Sequence, residues 1–285
     1  MLECPLDIPK SFKDKYDYQE KIVMENITIK DIVEACSGQL LCGDENKVIK
    51  EFSIDSRSGS EDSIFVPIIG ERVDAHKFID GALKINGATF TSEHDEPLEG
   101  FENKPWIKVA DTVEAMQKVG TFYRNRMNLP VVAVTGSVGK TSTKEVIASV
   151  LSQKYRTLKT QGNFNNELGL PLTVFRLRDE DEIAVLEMGI SDFGEMTRLA
   201  KIARPDTCVI TNIGTCHLEN LGDRDGVLKA KTEIFKYLQK DGHIVLNGDD
   251  DKLCMVKEYE GIKPVFFGME ADKDVYADEI TSRGL

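Results

Sequence analysis

A run of β-branched and small residues, Val131-Val132-Ala133-Val134-Thr135, empties into Gly136-Ser137-Val138-Gly139-Lys140-Thr141-Ser142, and a helical pattern follows from Thr143 to Leu151. Glycine takes backbone angles closed to other residues, so Gly136 and Gly139 let the chain turn its N–H groups inward. The helix behind them aims its partial positive end at the same point. Lys140 adds a mobile cation, and Thr141 offers a hydroxyl to Mg2+. Such a loop is a cradle for the phosphates of ATP, with Gly136, Ser137, Val138, Gly139, Lys140, Thr141 and Ser142 as its walls. The widespread form has four residues between its first glycine and Gly-Lys. Here Val134 holds that first place, and the compact form Gly-x-x-Gly-Lys-Thr remains. The strand before it and the helix after it separate this reading from an ordinary glycine turn.

From Val131 onward strand and helix patterns alternate, which predicts a mostly parallel sheet flanked by helices. The strands fall over 131–135, 156–159, 183–188, 207–211 and 243–247, with another over 264–267. Before them, 26–128 reads as a small α/β unit: a helix begun by Thr28, strands over 52–57 and 63–68, and helices over 74–86 and 112–126. Met127-Asn128-Leu129-Pro130 is the expected boundary, because proline halts the preceding helix. The expected organisation is therefore a polar extension over 1–25, an α/β substrate domain over 26–128 and a nucleotide domain over 129–285. A length of 285 residues suits two domains, and 41% hydrophobic content supports a core in each.

The formal charge of −13 argues against nucleic acid or an anionic membrane as partner, so an anionic substrate must be met by local cations. Residues 1–25 lack the apolar stretch of a signal peptide, and no run reaches the ~18 apolar residues of a membrane span. The six cysteines, at 4, 36, 42, 208, 216 and 254, show neither a C-x-x-C pair nor zinc spacing, which fits reduced cytoplasmic thiols.

The distinctive polar residues sit at the carboxyl ends of the expected strands: the phosphate loop, then Glu187, Asn212 and His217, then Asn247 and Asp249. In an open α/β sheet, ligands lie along that edge. Glu187 closes an apolar strand, where an ionised carboxylate is costly without a cation such as Mg2+ beside the loop. At ~100° per residue over 226–238, Leu228, Ile234, Phe235 and Leu238 share one face, while Lys229, Glu233 and Lys236 lie opposite. Lys231 falls inside the apolar stripe. A lysine there must snorkel, lose its charge or be modified. The carboxamide-rich loop 161–171 offers Asn163, Asn165 and Asn166 as donors to substrate oxygens. In the first unit, Asp55-Ser56-Arg57 and Gly70-Glu71-Arg72-Val73-Asp74-Ala75-His76 supply Ser56, Arg57, Arg72, Asp74 and His76 as candidates for an anionic substrate.

These segments together resemble the Mur ligases of cell-wall synthesis, from about Ile27 to the last residue. The phosphate loop 135–142, Leu-Glu-Met-Gly at 186–189, His217-Leu218-Glu219 and Ala-Lys-Thr-Glu-Ile-Phe at 230–235 mark the group. The 70–76 and 162–171 segments mark the member that joins D-alanyl-D-alanine to UDP-N-acetylmuramoyl tripeptide. The resemblance implies that the first domain takes the uridine nucleotide end of the substrate and that Lys140 and its loop hold ATP. It also implies that Thr141, Glu187 and His217 ligate Mg2+ directly or through water, and that Lys231 is the lysine carbamylated in the family. Lys140, Lys231 and His217 would then serve catalysis. Members of the family carry a third domain that closes over ATP, with an adenine-contacting segment before it. This sequence ends at Thr281-Ser282-Arg283-Gly284-Leu285 as a further strand begins, which predicts little turnover by this chain alone. Competing readings are a neighbouring Mur-type or folylpolyglutamate-type amide ligase, a non-catalytic nucleotide-binding protein and a small-molecule phosphotransferase.

Overall fold

Thr28 ends a two-residue strand, Ile27–Thr28 (β1), and starts the helix Ile29–Cys36 (α1) through a capping box. Its hydroxyl accepts from the Asp31 N–H at 3.2 Å, and the Asp31 carboxylate accepts from the Thr28 N–H at 2.8 Å. In the computed structural model of the chain, residues 27–70 and 72–279 are described. The predicted extension over 1–25, Glu71 and the closing 281–285 segment lie outside them.

The first sheet is built from Gln39–Cys42 (β2), Glu51–Ser53, Ser63–Phe65, Ala88–Thr91 and Trp106–Lys108; the short strand Val48–Ile49 (β3) pairs with β1. Numbered β4 to β7 in chain order, the last four strands run parallel in the order β4, β5, β6, β7, and β2 pairs antiparallel with β7. The strands expected over 52–57 and 63–68 are shorter, ending at Ser53 and Phe65. Ser53 turns its hydroxyl onto the Asp55 carbonyl at 2.9 Å, and Pro67 has no N–H for the ladder. Likewise the helix expected over 74–86 is a 3-10 turn, Ala75–Phe78, followed by the short helix Ile79–Leu83 (α2), because Asp74 caps the turn through the His76 N–H at 2.9 Å.

Helix Thr112–Arg126 (α3) lies where the periodicity puts it. Its Tyr123 and Arg124 are buried; the Tyr123 hydroxyl donates to the Leu177 carbonyl at 2.7 Å, and Arg124 Nε donates to that of Ala203 at 3.0 Å. Phe52 of the first sheet stacks on Phe175 of the second half at 4.2 Å between centroids. One apolar core thus runs through both halves, from Ile27 to Leu253. Each large side chain withdrawn into it contributes roughly 1.5–3 kcal/mol.

The second half alternates Val131–Thr135 (β8), Lys140–Leu151 (α4), Thr157–Lys159 (β9), Gly169–Val174 (α5), Ile183–Glu187 (β10), Glu195–Ala203 (α6) and Thr207–Ile210 (β11). Leu218–Leu221 (α7), Arg224–Thr232 (α8), His243–Asn247 (β12), Val265–Gly268 (β13) and Val275–Tyr276 (β14) follow. The seven strands lie in the order β14-β13-β12-β11-β8-β10-β9, all parallel. Successive strands depart to opposite sides of β8, so the crevice at its carboxyl end is where an open sheet of this kind receives a ligand. No helix among the described residues is long and apolar enough to cross a membrane.

Candidate active site

The turn after β8 requires its glycines. Gly136 has φ +149°, and a Cβ there would stand 1.9 Å from Thr211 Oγ1; Gly139 has φ +80°. Asn212, just beyond β11, braces this loop: its Oδ1 accepts from the Ser137 N–H at 3.1 Å and the Val138 N–H at 2.9 Å, and its Nδ2 donates to the Val138 carbonyl. Lys140 folds back, donating to the Gly136 carbonyl at 2.9 Å. Val138, Gly139, Thr141 and Ser142 are exposed on the rim.

Glu187 ends β10 only 2% exposed. Its Oε1 accepts from Thr141 Oγ1 at 3.2 Å and from Asn165 Nδ2 at 2.8 Å. Its Oε2 is a buried oxygen with no hydrogen-bond partner among the described residues. A buried carboxylate oxygen left bare calls for an explanation, and a cation at the loop is the simplest one. Lys144, 1% exposed, stands 3.8 Å from that oxygen.

Lys231 is also 1% exposed, on the inner face of α8. Burial pushes its ammonium down to about 8; the Cys216 thiol pulls upward, and the Lys140 charge adds to the drop. No hydrogen bond or ion pair holds Lys231 Nζ among the described residues. The helical period therefore places Lys231 correctly but misplaces Glu233. That carboxylate is mostly buried, accepting from the Thr197 hydroxyl at 2.7 Å and the Gly194 N–H at 3.1 Å at the start of α6. Its partner belongs to another helix, which a single-helix period does not register.

Ser137, Lys140, Asn165, Asn166, His217 and Lys231 line one pocket of about 400 Å³, together with Cys216, Gly189, Glu167 and Glu195 among others. Thr141 and Glu187 adjoin it through the bonds above. Asn166 caps α5, its Oδ1 accepting from the Gly169 N–H at 2.9 Å, and Asn163 is exposed outside the lining. Asn247 donates to the Thr211 carbonyl at 3.0 Å, and Asp249 accepts from the Met269 N–H at 2.8 Å; both tie neighbouring segments rather than line the pocket.

The first-half candidates stand outside this lining. Arg57 is exposed and forms a two-point pair with Asp55 at 2.9 and 2.8 Å, holding the Asp55 carboxyl down to about 2. Ser56 is half-buried and Arg72 exposed. His76 is sealed in, its Nε2 accepting from the Ser92 N–H at 3.0 Å. Its Nδ1 faces Asp74 at 2.7 Å, so the ring orders the loop instead of offering a free nitrogen. Lys144 and Thr160 escape a sequence reading. A lysine on a helix ordinarily faces water, and nothing in the spacing distinguishes Lys144 from Lys154.

The Mur ligase middle domain family matches residues 134–284. The chain belongs to the Mur ligase family. The match begins inside β8 and takes in Lys140, Glu187, His217 and Lys231, so every element bordering the pocket lies within the family region. This Mur ligase chain is 41% identical over 238 residues to the UDP-N-acetylmuramoyl-tripeptide–D-alanyl-D-alanine ligase of Bacillus subtilis, covering 81% of this chain and 52% of that one. To the Escherichia coli ligase of the same name it is 36% identical over 266 residues, covering 92% and 57%. Among solved structures, MurF from Acinetobacter baumannii superimposes with a TM-score of 0.83 at 34% identity, covering 90% of this chain and 56% of that one. MurF ligase from Thermotoga maritima in complex with ADP gives 0.70 at 35%, covering 77% and 50%. The chain spans about half the length of the curated relatives it matches.

Proposed function

We propose that this chain is the substrate- and nucleotide-binding part of an ATP-dependent, cytoplasmic amide ligase that joins D-alanyl-D-alanine to UDP-N-acetylmuramoyl tripeptide. The observation that carries the reading is the convergence of Lys140, His217 and Lys231 on one pocket, beside a buried carboxylate with a bare oxygen. The names of the relatives supply the substrates.

A carboxylate is a poor electrophile. The terminal carboxylate of the tripeptide attacks the γ-phosphorus of ATP, the bond to ADP breaks, and an acyl phosphate forms. The amine of the dipeptide then attacks the acyl carbon, gives up a proton, and phosphate departs. Lys140 and the loop N–H groups neutralise charge on the transferring phosphoryl group, which is most of what such a reaction asks of a protein. In this reading the Asn212 carboxamide yields those N–H groups to phosphate oxygens.

The residues fit a divalent cation: Glu187 has an oxygen to spare, Thr141 stands beside it, and His217 borders the same pocket. Mg2+ held by these groups would polarise the phosphoryl oxygens as a Lewis acid. Lys231, shifted to about 8, has an appreciable neutral fraction near physiological pH. Its amine adds to CO2 with loss of a proton, and the resulting carbamate replaces a buried cation with an anion able to brace the metal. Residues 26–128 form the domain for the uridine nucleotide end, with Ser56, Arg57 and Arg72 on its surface and Asp74 and His76 ordering the neighbouring loop, while Asn163 in the second half offers an exposed carboxamide to the substrate. The test is a titration of the chain with UDP-N-acetylmuramoyl tripeptide. Saturable binding that UDP competes away is expected; ATP binding without any tripeptide binding would overturn the assignment of substrate.

A further inference from the structure

Lys144 lies one helical turn beyond Lys140, and its side chain is only 1% exposed. An ammonium so deeply buried is costly unless charge and hydrogen bonds compensate it. Its Nζ donates to the Thr160 carbonyl at 2.7 Å, pairs with Glu145 at 3.0 Å and stands 3.8 Å from Glu187 Oε2. Thr160 closes the bracket from the other side, because its hydroxyl accepts from the Glu187 N–H at 2.9 Å. Glu145 in turn pairs with Lys159. Charges therefore alternate from the surface inward: Lys159, Glu145, Lys144, Glu187. Among the described residues, Lys144 is the only cation within 4.0 Å of either Glu187 oxygen.

Glu187 takes its hydrogen bonds on Oε1 alone, from Thr141 and Asn165. Lys144 thus supplies the counter-charge on the side where the carboxylate has no donor, without engaging that oxygen in a hydrogen bond. We propose that Lys144 is the positioning residue of Glu187. It keeps a buried carboxylate tolerable and aimed at the phosphate loop while leaving Oε2 free for a metal. It lies outside the pocket lining and acts through Glu187, not on the nucleotide. The pairing stands on these distances; its consequence for the metal rests on the function proposed above.

The first test needs neither ligand nor metal: a double-mutant cycle in urea with Lys144→Met, Glu187→Gln and both together. Lys144→Met alone should lower the folded-to-unfolded ratio about tenfold or more, and the part of that loss owed to Glu187, at least about threefold, should return in the double variant, since a neutral Gln needs no cation. Additive losses would overturn the proposal. Should Lys144→Met fail to fold, folding of the double variant supports the pairing and its failure to fold overturns it. The second test is ATP binding as a function of Mg2+ concentration. Lys144→Met should need about tenfold more Mg2+ for half-maximal binding, with Mg2+-free ATP binding unchanged, and Lys144→Arg should restore most of the response. An unchanged Mg2+ requirement overturns the positioning role. Absence of ATP binding by the unaltered chain would instead count against the ligase reading and leave the urea cycle intact.

Discussion

Replacing Lys231 by Met should make the chain more stable, and by an amount that depends on pH. The residue is buried, its amine has no hydrogen-bond or ion-pair partner among the described residues, and its ordinary value of 10.5 falls to about 8. Between those values the unfolded chain holds a proton that the folded chain has released, so stability rises with pH across that window. Below about 8 both states are protonated, and the folded state carries the whole cost, about 3 kcal/mol. Met is unbranched and of similar volume, so it fills the space without the charge. Urea unfolding of both proteins in CO2-depleted buffer should show Lys231→Met more stable by about 2–3 kcal/mol at pH 7, the gain fading as pH approaches 10.5. A gain that does not vary with pH, or no gain at pH 7, would refute the argument that Lys231 is a desolvated, unpaired amine. A residue kept at such a cost is what a functional site exhibits when stability has been given up for chemistry.

Three further outcomes follow from the same geometry. Gly136→Ala should lose about 2–4 kcal/mol in thermal or urea unfolding, because its Cβ meets Thr211 Oγ1 in a backbone region that favours glycine; a loss under about 0.5 kcal/mol would contradict the loop as described. Asn212→Ala strips the side-chain acceptor from the Val138 amide, while the Ser137 N–H keeps the backbone carbonyl of residue 212 at 3.1 Å, and should cost about 1 kcal/mol. The Val138 amide should exchange faster by hydrogen–deuterium exchange, and unaltered protection there would show that the Asn212 side chain does not hold the loop. His76→Ala leaves the Ser92 N–H without its acceptor and removes the ring nitrogen that faces Asp74, whose carboxylate keeps only the backbone N–H of residue 76, so about 1–2 kcal/mol should vanish from unfolding measurements; a neutral substitution would mean that the ring does not order the loop.

Structure decided by local chemistry is legible in the sequence, and structure decided by distant partners is not. Strand β8 lies where its β-branched run ends at Gly136, and α3 begins at Thr112 behind its Asp111 cap. Lys231 was legible because the apolar stripe around it leaves one position that a charge does not suit. Glu233 escapes the period for the complementary reason: the group that satisfies it is the amino end of α6, which no period within 226–238 can reveal. Lys144 looked like any helical lysine, since Thr160 and Glu187 reach it from the ends of β9 and β10. The shortening of 74–86 to a 3-10 turn and one brief helix came from a single aspartate turning its carboxylate onto the backbone two residues ahead. Short strands such as β2, β6 and β14 lack enough residues for alternation to show, and neighbouring strands define them.

In the function proposed above, loops from separate strands meet around one magnesium-bound triphosphate at the turn 136–141. Calorimetric titration with ATP in the presence and absence of Mg2+, on the chain and on Lys140→Ala, tests it most directly. A single saturable site is expected, one that needs Mg2+ and weakens about tenfold or more without the lysine. Binding that ignores both Mg2+ and Lys140, or no saturable binding at all, would contradict it.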